Sequence, residues 1–238
     1  MSSDELISNA AAQLCAAVTR SREAARDSRQ PMKKLDTATK SFVPLDGVSC
    51  IMAVVRETFA NEVFAALKDE KQVDEAMVLL PPRSWHVTLT GLEHTMGDNE
   101  EQQARHFLAV ERTAAILFAD DNPIRFVPAE HVCSSPTASL VLLNTLSERD
   151  EEALRHLERT CLGAEKSFKP QEWHITLGYF LDRHAVEGNR AAHARVLEIF
   201  QSALRSKTGE PGCLECGLPR VCTYTSMAEF YPIFPRQA

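Results

Sequence analysis

Two five-residue strings constrain this chain more than anything else in it: Trp85-His-Val-Thr-Leu89 and Trp173-His-Ile-Thr-Leu177, 88 residues apart. Between them they use both of its tryptophans. Their β-branched and apolar residues read as strand, where side chains at i and i+2 share a face. His86 and Thr88 therefore point one way, and Val87 and Leu89 the other. His174 and Thr176 repeat this, opposed by Ile175 and Leu177. A lone His-x-Thr is expected by chance in roughly every second chain of this composition, but the five-residue string in roughly one in a thousand. Duplicated packing accounts for the Trp, the β-branched residue and the Leu. It leaves a His and a Thr on the opposite face of both strands unexplained.

The surroundings of the two strings also correspond. "GVSCIMAVV" (47–55) reads as a buried strand and "ETFANEVFAALKDE" (57–70) as an amphipathic helix. Pro81-Pro82 then precedes the first Trp-His strand, and a helix is expected over 100–118. In the second half, 124–133 and 139–146 read as strands joined through Ser-Ser-Pro. A helix follows with Ser147 as N-cap and Asp150 at N3. Pro170 precedes the second Trp-His strand, another helix spans 188–206, and late strands fall near 213–216 and 221–231. The halves are too unlike to be a sequence repeat, yet the same element sits at the same place in each. The expected fold is α+β: two pseudo-symmetric lobes, each an antiparallel sheet flanked by helices, with a cleft between them. Residues 1–40 are expected to be an added helix (4–26) and a linker (30–40). Residues 41–238 form the single bilobal domain.

Bulk properties set the remaining bounds. The longest apolar runs are strand length, far short of the roughly 18 residues of a membrane span, so no membrane partner is expected. A formal charge of -7 argues against a wide basic surface gripping long nucleic acid, but not against a nucleotide or an RNA end in a local cleft. Acids at positions 4, 5, 23 and 27 weigh against a transit peptide. Seven scattered cysteines suit reduced thiols, so the chain is expected to be cytoplasmic, and a monomer. Cys213-Leu-Glu-Cys216 lacks a second Cys or His pair at zinc-ligand spacing, so no metal and no cofactor are expected.

Two histidines can divide a proton-transfer reaction, one neutral imidazole taking a proton and one imidazolium giving one. Threonine hydroxyls can donate to the non-bridging oxygens of a phosphate as its charge shifts. An in-line displacement at phosphorus wants acid and base on opposite sides, which two facing lobes supply. On these residues the chain resembles the two-histidine phosphoesterase superfamily, which includes 2'-5' RNA ligase-like proteins and cyclic phosphodiesterases. The resemblance covers about residues 43–235. "PPRSWHVTLTGL" and the closing "MAEFYPI" are most similar to a largely uncharacterised subgroup.

The resemblance implies a bilobal fold and metal-independent chemistry on 2',3'-cyclic or 2'-5' linked nucleotides or RNA ends. It makes His86 and His174 the acid/base pair and Thr88 and Thr176 the phosphate holders. Two alternatives stand beside hydrolysis: a module that holds a nucleotide or RNA end without turnover, and RNA ligation by the reverse reaction. Thr90 and His94 are candidates if the first strand keeps its alternation, and Tyr179 and Phe180 if a nucleobase stacks there. Arg83, Lys169 and Arg220 are candidate phosphate contacts, though each reads first as a solvated surface charge. The sequence does not say which histidine is acid and which is base.

Overall fold

The computed structural model describes residues 4–15, 34–45, 47–92, 99–118, 123–129, 135–162, 172–205 and 212–235. Helix α1 (residues 4–15) buries Ile7, Ala10 and Leu14, spaced three and four apart, against the core. The stretch expected to be a linker holds a hairpin, β1 (Leu35–Asp36) and β2 (Ser41–Phe42). Asp36 closes its turn by accepting from the Ala38 amide (3.0 Å) and the Thr39 hydroxyl (2.8 Å). Strand β3 (Gly47–Ala53) is buried at all but its last residue, and helix α2 (Glu57–Lys68) buries Phe59, Ala60, Val63 and Leu67 along one stripe. The chain then makes a short helix α3 (Lys71–Ala76), strand β4 (Met77–Leu79) and a 3-10 turn (Pro82–Ser84) before β5 (His86–Gly91).

Helix α4 (Glu100–Leu117) opens with Asn99 accepting from the Gln102 amide at 2.9 Å and with Glu100 and Glu101 in its first turn, a favourable end for the helix dipole. Strands β6 (Ile124–Pro128) and β7 (Ala138–Thr145) follow. Helix α5 (Glu148–Leu162) starts as expected, with the Ser147 hydroxyl accepting from the Asp150 amide at 3.3 Å. Then come β8 (Trp173–Phe180), α6 (Val186–Leu204), β9 (Leu214–Cys216), β10 (Arg220–Ser226) and β11 (Glu229–Pro232). None of the described helices is long and apolar enough to cross a membrane.

One nine-stranded antiparallel sheet holds the fold together, in the order β11-β10-β3-β5-β8-β7-β6-β9, with β4 pairing the far end of β8. The order is a palindrome about its middle. From the centre outward, β5, β3, β10 and β11 on one side answer β8, β7, β6 and β9 on the other. Each half runs strand, helix, Trp-His strand, helix: β3-α2-β5-α4 and β7-α5-β8-α6. The two lobes are thus four-stranded halves joined edge to edge through β5 and β8.

The sheet is curled into a half-barrel. Its last strand, β9, meets the end of β3: the Val55 amide donates to the Glu215 carbonyl (3.1 Å) and the Gly217 amide to the Ala53 carbonyl (2.8 Å). Helices α5 and α6 cover one face. There the Cys50 thiol of β3 hydrogen-bonds Cys161 of α5, and Ser139 of β7 hydrogen-bonds His193 of α6 at 2.8 Å. Trp85, Val87, Leu89, Trp173, Ile175 and Leu177 are buried in the core. The short strand β4 fits against β8 because Gly178 has no side chain: a Cβ there would lie 2.5 Å from the Val78 carbonyl oxygen.

Candidate active site

The central strands β5 and β8 pair at Val87 and Ile175. Carried one residue either way, this antiparallel register sets His86 across from Thr176, and Thr88 across from His174. A two-fold axis through the Val87–Ile175 pair exchanges the strands and maps each histidine onto the other. Directly opposed side chains on a sheet stand about 4.5–5.5 Å apart at Cβ, so the four groups form one compact diamond. Val87 and Ile175 are fully buried on the core side, while the four polar residues are half-buried on the other. Among the described residues neither Thr88 nor Thr176 uses its hydroxyl in a hydrogen bond.

The two histidines are held in the same way. His86 Nδ1 donates to the Ser84 carbonyl at 2.7 Å, and His174 Nδ1 donates to the Glu172 carbonyl at 3.2 Å. A carbonyl can only accept, so the proton of the neutral ring sits on Nδ1 in both. Nε2 is left as the nitrogen for proton exchange on each. Both carbonyls belong to the residue two before the histidine, so the device is local and recurs with the string.

Their surroundings differ. The Phe230 ring lies 4.2 Å from the His86 ring, centroid to centroid. Part of His86 still reaches solvent, yet protein atoms crowd its imidazole on most sides. This desolvation lowers its pKa to about 4, helped by the charges of His174 and Lys34 and opposed by the Ser84 carbonyl. His86 is therefore a neutral imidazole at neutral pH.

Irregular pairing decides where the weaker candidates lie. In β5 the register slips by one at Leu89: Thr88 faces Ile51, but Thr90 faces Cys50. In β8 it slips at Leu177: Thr176 faces Leu140, but Gly178 faces Ser139. These are β-bulges, and each reverses the alternation beyond it. Both fall on the Leu that closes the string. Thr90 consequently does not continue the His86 face. It is buried beside Cys50, on the helix side, with its hydroxyl on the Gly91 carbonyl at 3.3 Å.

Phe180 is likewise turned to the helix side, paired with Met77. Tyr179, paired with Ala138, is brought by the slip onto the face of His174 and Thr176. It is mostly buried, and desolvation raises the pKa of its phenol. His94 and Lys169 lie outside the described residues. Arg83 is exposed and pairs with Glu229 at 3.5 Å. Arg220 is tied to Glu111 of α4 at 3.2 Å and to the Phe234 carbonyl, a structural link. Of the thiols near the chain end, Cys216 and Cys222 are buried; burial raises both pKa values, that of Cys222 to about 12. No group of three or more His, Cys, Asp or Glu able to hold a metal occurs among the described residues.

Two residues on this face went unmarked in the sequence, Phe230 and Lys34. Phe230 sits in "MAEFYPI", on the β10–β11 hairpin that the curl carries across to Arg83 and His86. A regular strand count gives no sign that it reaches so far.

No protein-family model matches the sequence, and no curated protein matches it. Among solved structures, a conserved protein of unknown function from Agrobacterium tumefaciens is similar to the chain with a TM-score of 0.55 and 15% identity, over 88% of this chain and 94% of that one. A protein from Thermus thermophilus is similar at a TM-score of 0.38 and 16% identity, over 80% and 100%. The first of these likenesses shows a shared fold.

Proposed function

We propose that the chain is a two-histidine phosphoesterase: a metal-independent phosphodiesterase acting on a 2',3'-cyclic or 2'-5' linked nucleotide or RNA end. The observation that carries this reading is the diamond of His86, Thr176, Thr88 and His174 about the Val87–Ile175 pair. Two proton carriers flank the centre from opposite strands, and beside them stand two hydroxyls that no described residue engages. The reading gives His86, already neutral, the role of base, and His174 that of acid.

In hydrolysis, Nε2 of His86 takes a proton from water as the water oxygen bonds to phosphorus. The bond from phosphorus to the leaving sugar oxygen breaks, and that oxygen takes the proton held on Nε2 of His174. Thr88 and Thr176 donate to the non-bridging oxygens. The imidazoles handle both protons and the hydroxyls meet the charge, so the chemistry asks for no metal.

The test is turnover of a panel of 2',3'-cyclic nucleotides and 2'-5' dinucleotides with a chelator present, followed across pH. Because the His86 pKa is lowered to about 4, its neutral form survives well into acid. The acid limb of kcat/KM should fall only as pH drops through about 4. An activity abolished by chelator, or an acid limb near 6.5, contradicts the assignment. Nucleoside monophosphate binding without turnover anywhere in the panel would favour a holding module instead.

A further inference from the structure

The pseudo-two-fold that relates the histidines is broken by the N-terminal hairpin, which lies at one end of the diamond only. Strand β8 runs past His86, across from Thr176, and on to Tyr179, which pairs with Val78 of β4. Phe42 of β2 packs edge-on to the Tyr179 ring, centroids 6.3 Å apart. Leu35 of β1 is buried in the core, and the Val43 amide donates to the Lys34 carbonyl at 3.2 Å, closing the hairpin base. The following chain is fixed to β10 by the Leu45 amide on the Thr225 carbonyl at 2.9 Å. Lys34 is thereby held with its ammonium 5.6 Å from the Tyr179 ring centroid, within cation–π range, on the face of the sheet that carries the histidines. Its positive charge is also felt at His86.

We propose that Lys34 is a substrate-binding residue, whose ammonium reaches the phosphate at the His86 end of the diamond. The inference rests on the phosphodiester reading for its substrate, but its chemistry is that of an anion site in general. The diamond supplies hydroxyls and two imidazoles, and the whole chain is acidic, with a net charge of -7. The hairpin brings a cation to the end of the diamond where such a phosphate would arrive. Tyr179 orients that cation and Phe42 braces Tyr179, so the N-terminal extension becomes one wall of the site.

The test uses the full chain with Lys34→Gln and Lys34→Arg, and two independent readouts. Binding of inorganic phosphate and of a nucleoside 2'-monophosphate is measured by calorimetry at low and moderate salt. KM and kcat are measured on whichever cyclic nucleotide turns over. Expected is a rise of about ten-fold in Kd and KM for Lys34→Gln, a shallower salt dependence, kcat within a few-fold, and recovery in Lys34→Arg. Turnover with unchanged KM and Kd in Lys34→Gln overturns the inference and leaves the phosphodiesterase reading standing. Weakened phosphate binding in a chain that turns nothing over supports the inference while the reading fails. A wild-type chain that binds neither phosphate nor the monophosphate overturns it.

Discussion

Replacing either histidine with alanine is expected to lower kcat/KM on a 2',3'-cyclic nucleotide by about 10²–10⁴, roughly 3–5 kcal/mol of barrier. Each substitution removes one proton carrier and leaves the fold's hydrogen bonds nearly intact, because among the described residues each imidazole bonds only to a carbonyl two residues away. The double variant should be little worse than the singles, since base and acid work in one step and losses within a unit do not add. Thr88→Val and Thr176→Val keep shape and lose a donor; each should cost less than the histidine on its own strand. The check is steady-state kinetics on purified variants whose melting curves match the wild type. Activity that survives both histidine substitutions would leave the diamond without a catalytic role.

The largest expected effect on stability is at Trp85, not at its sequence twin. Trp85 is fully buried, its indole N–H donates to the Leu80 carbonyl at 2.9 Å, and its own carbonyl accepts from Val54 at 3.1 Å. Trp85→Ala opens a large cavity and strands the Leu80 carbonyl. The expected cost is about 3–5 kcal/mol, a large share of the roughly 5–15 kcal/mol that holds a domain folded.

Trp173 is also buried, but among the described residues its indole N–H has no acceptor. Its ring packs against Phe126 and under the Arg155 guanidinium, 3.9 Å from the ring centroid. Replacement by phenylalanine separates the two roles. Trp85→Phe loses a buried hydrogen bond and should destabilise measurably more than Trp173→Phe in urea unfolding. Equal losses would mean that the indole N–H of Trp85 contributes nothing.

The contrast between the two tryptophans marks how far the sequence could be read. The strings, their alternation and the helix start at Ser147 were legible because each depends on neighbours within a few residues. The α+β architecture followed from their order. What escaped depends on partners far along the chain. Counting alternation straight through put Thr90 beside His86, whereas the slip at Leu89 is set by how β3 pairs with β5. The matching slip at Leu177 turns Phe180 away and brings Tyr179 onto the histidine face.

Strand β4 has three residues, too few to carry a period. The hairpin of residues 35–42 has two residues per strand and read as a linker; its position comes from Leu35 and Phe42 finding partners in the sheet. The asymmetry between the histidines was hidden for the same reason. It comes from Phe230 and Lys34, on segments 144 residues after His86 and 52 before it.

The central claim is that both imidazoles, each held through Nδ1–H on a backbone carbonyl, present Nε2 to a single phosphate. Long-range ¹H–¹⁵N correlation spectra of the histidine rings report tautomer and ligand contact together. On titration with a nucleoside 2'-monophosphate, the Nε2 signals of His86 and His174 should shift along one shared binding curve, while both Nδ1 atoms remain protonated. Shifts confined to one histidine, or following two different curves, would contradict a common site.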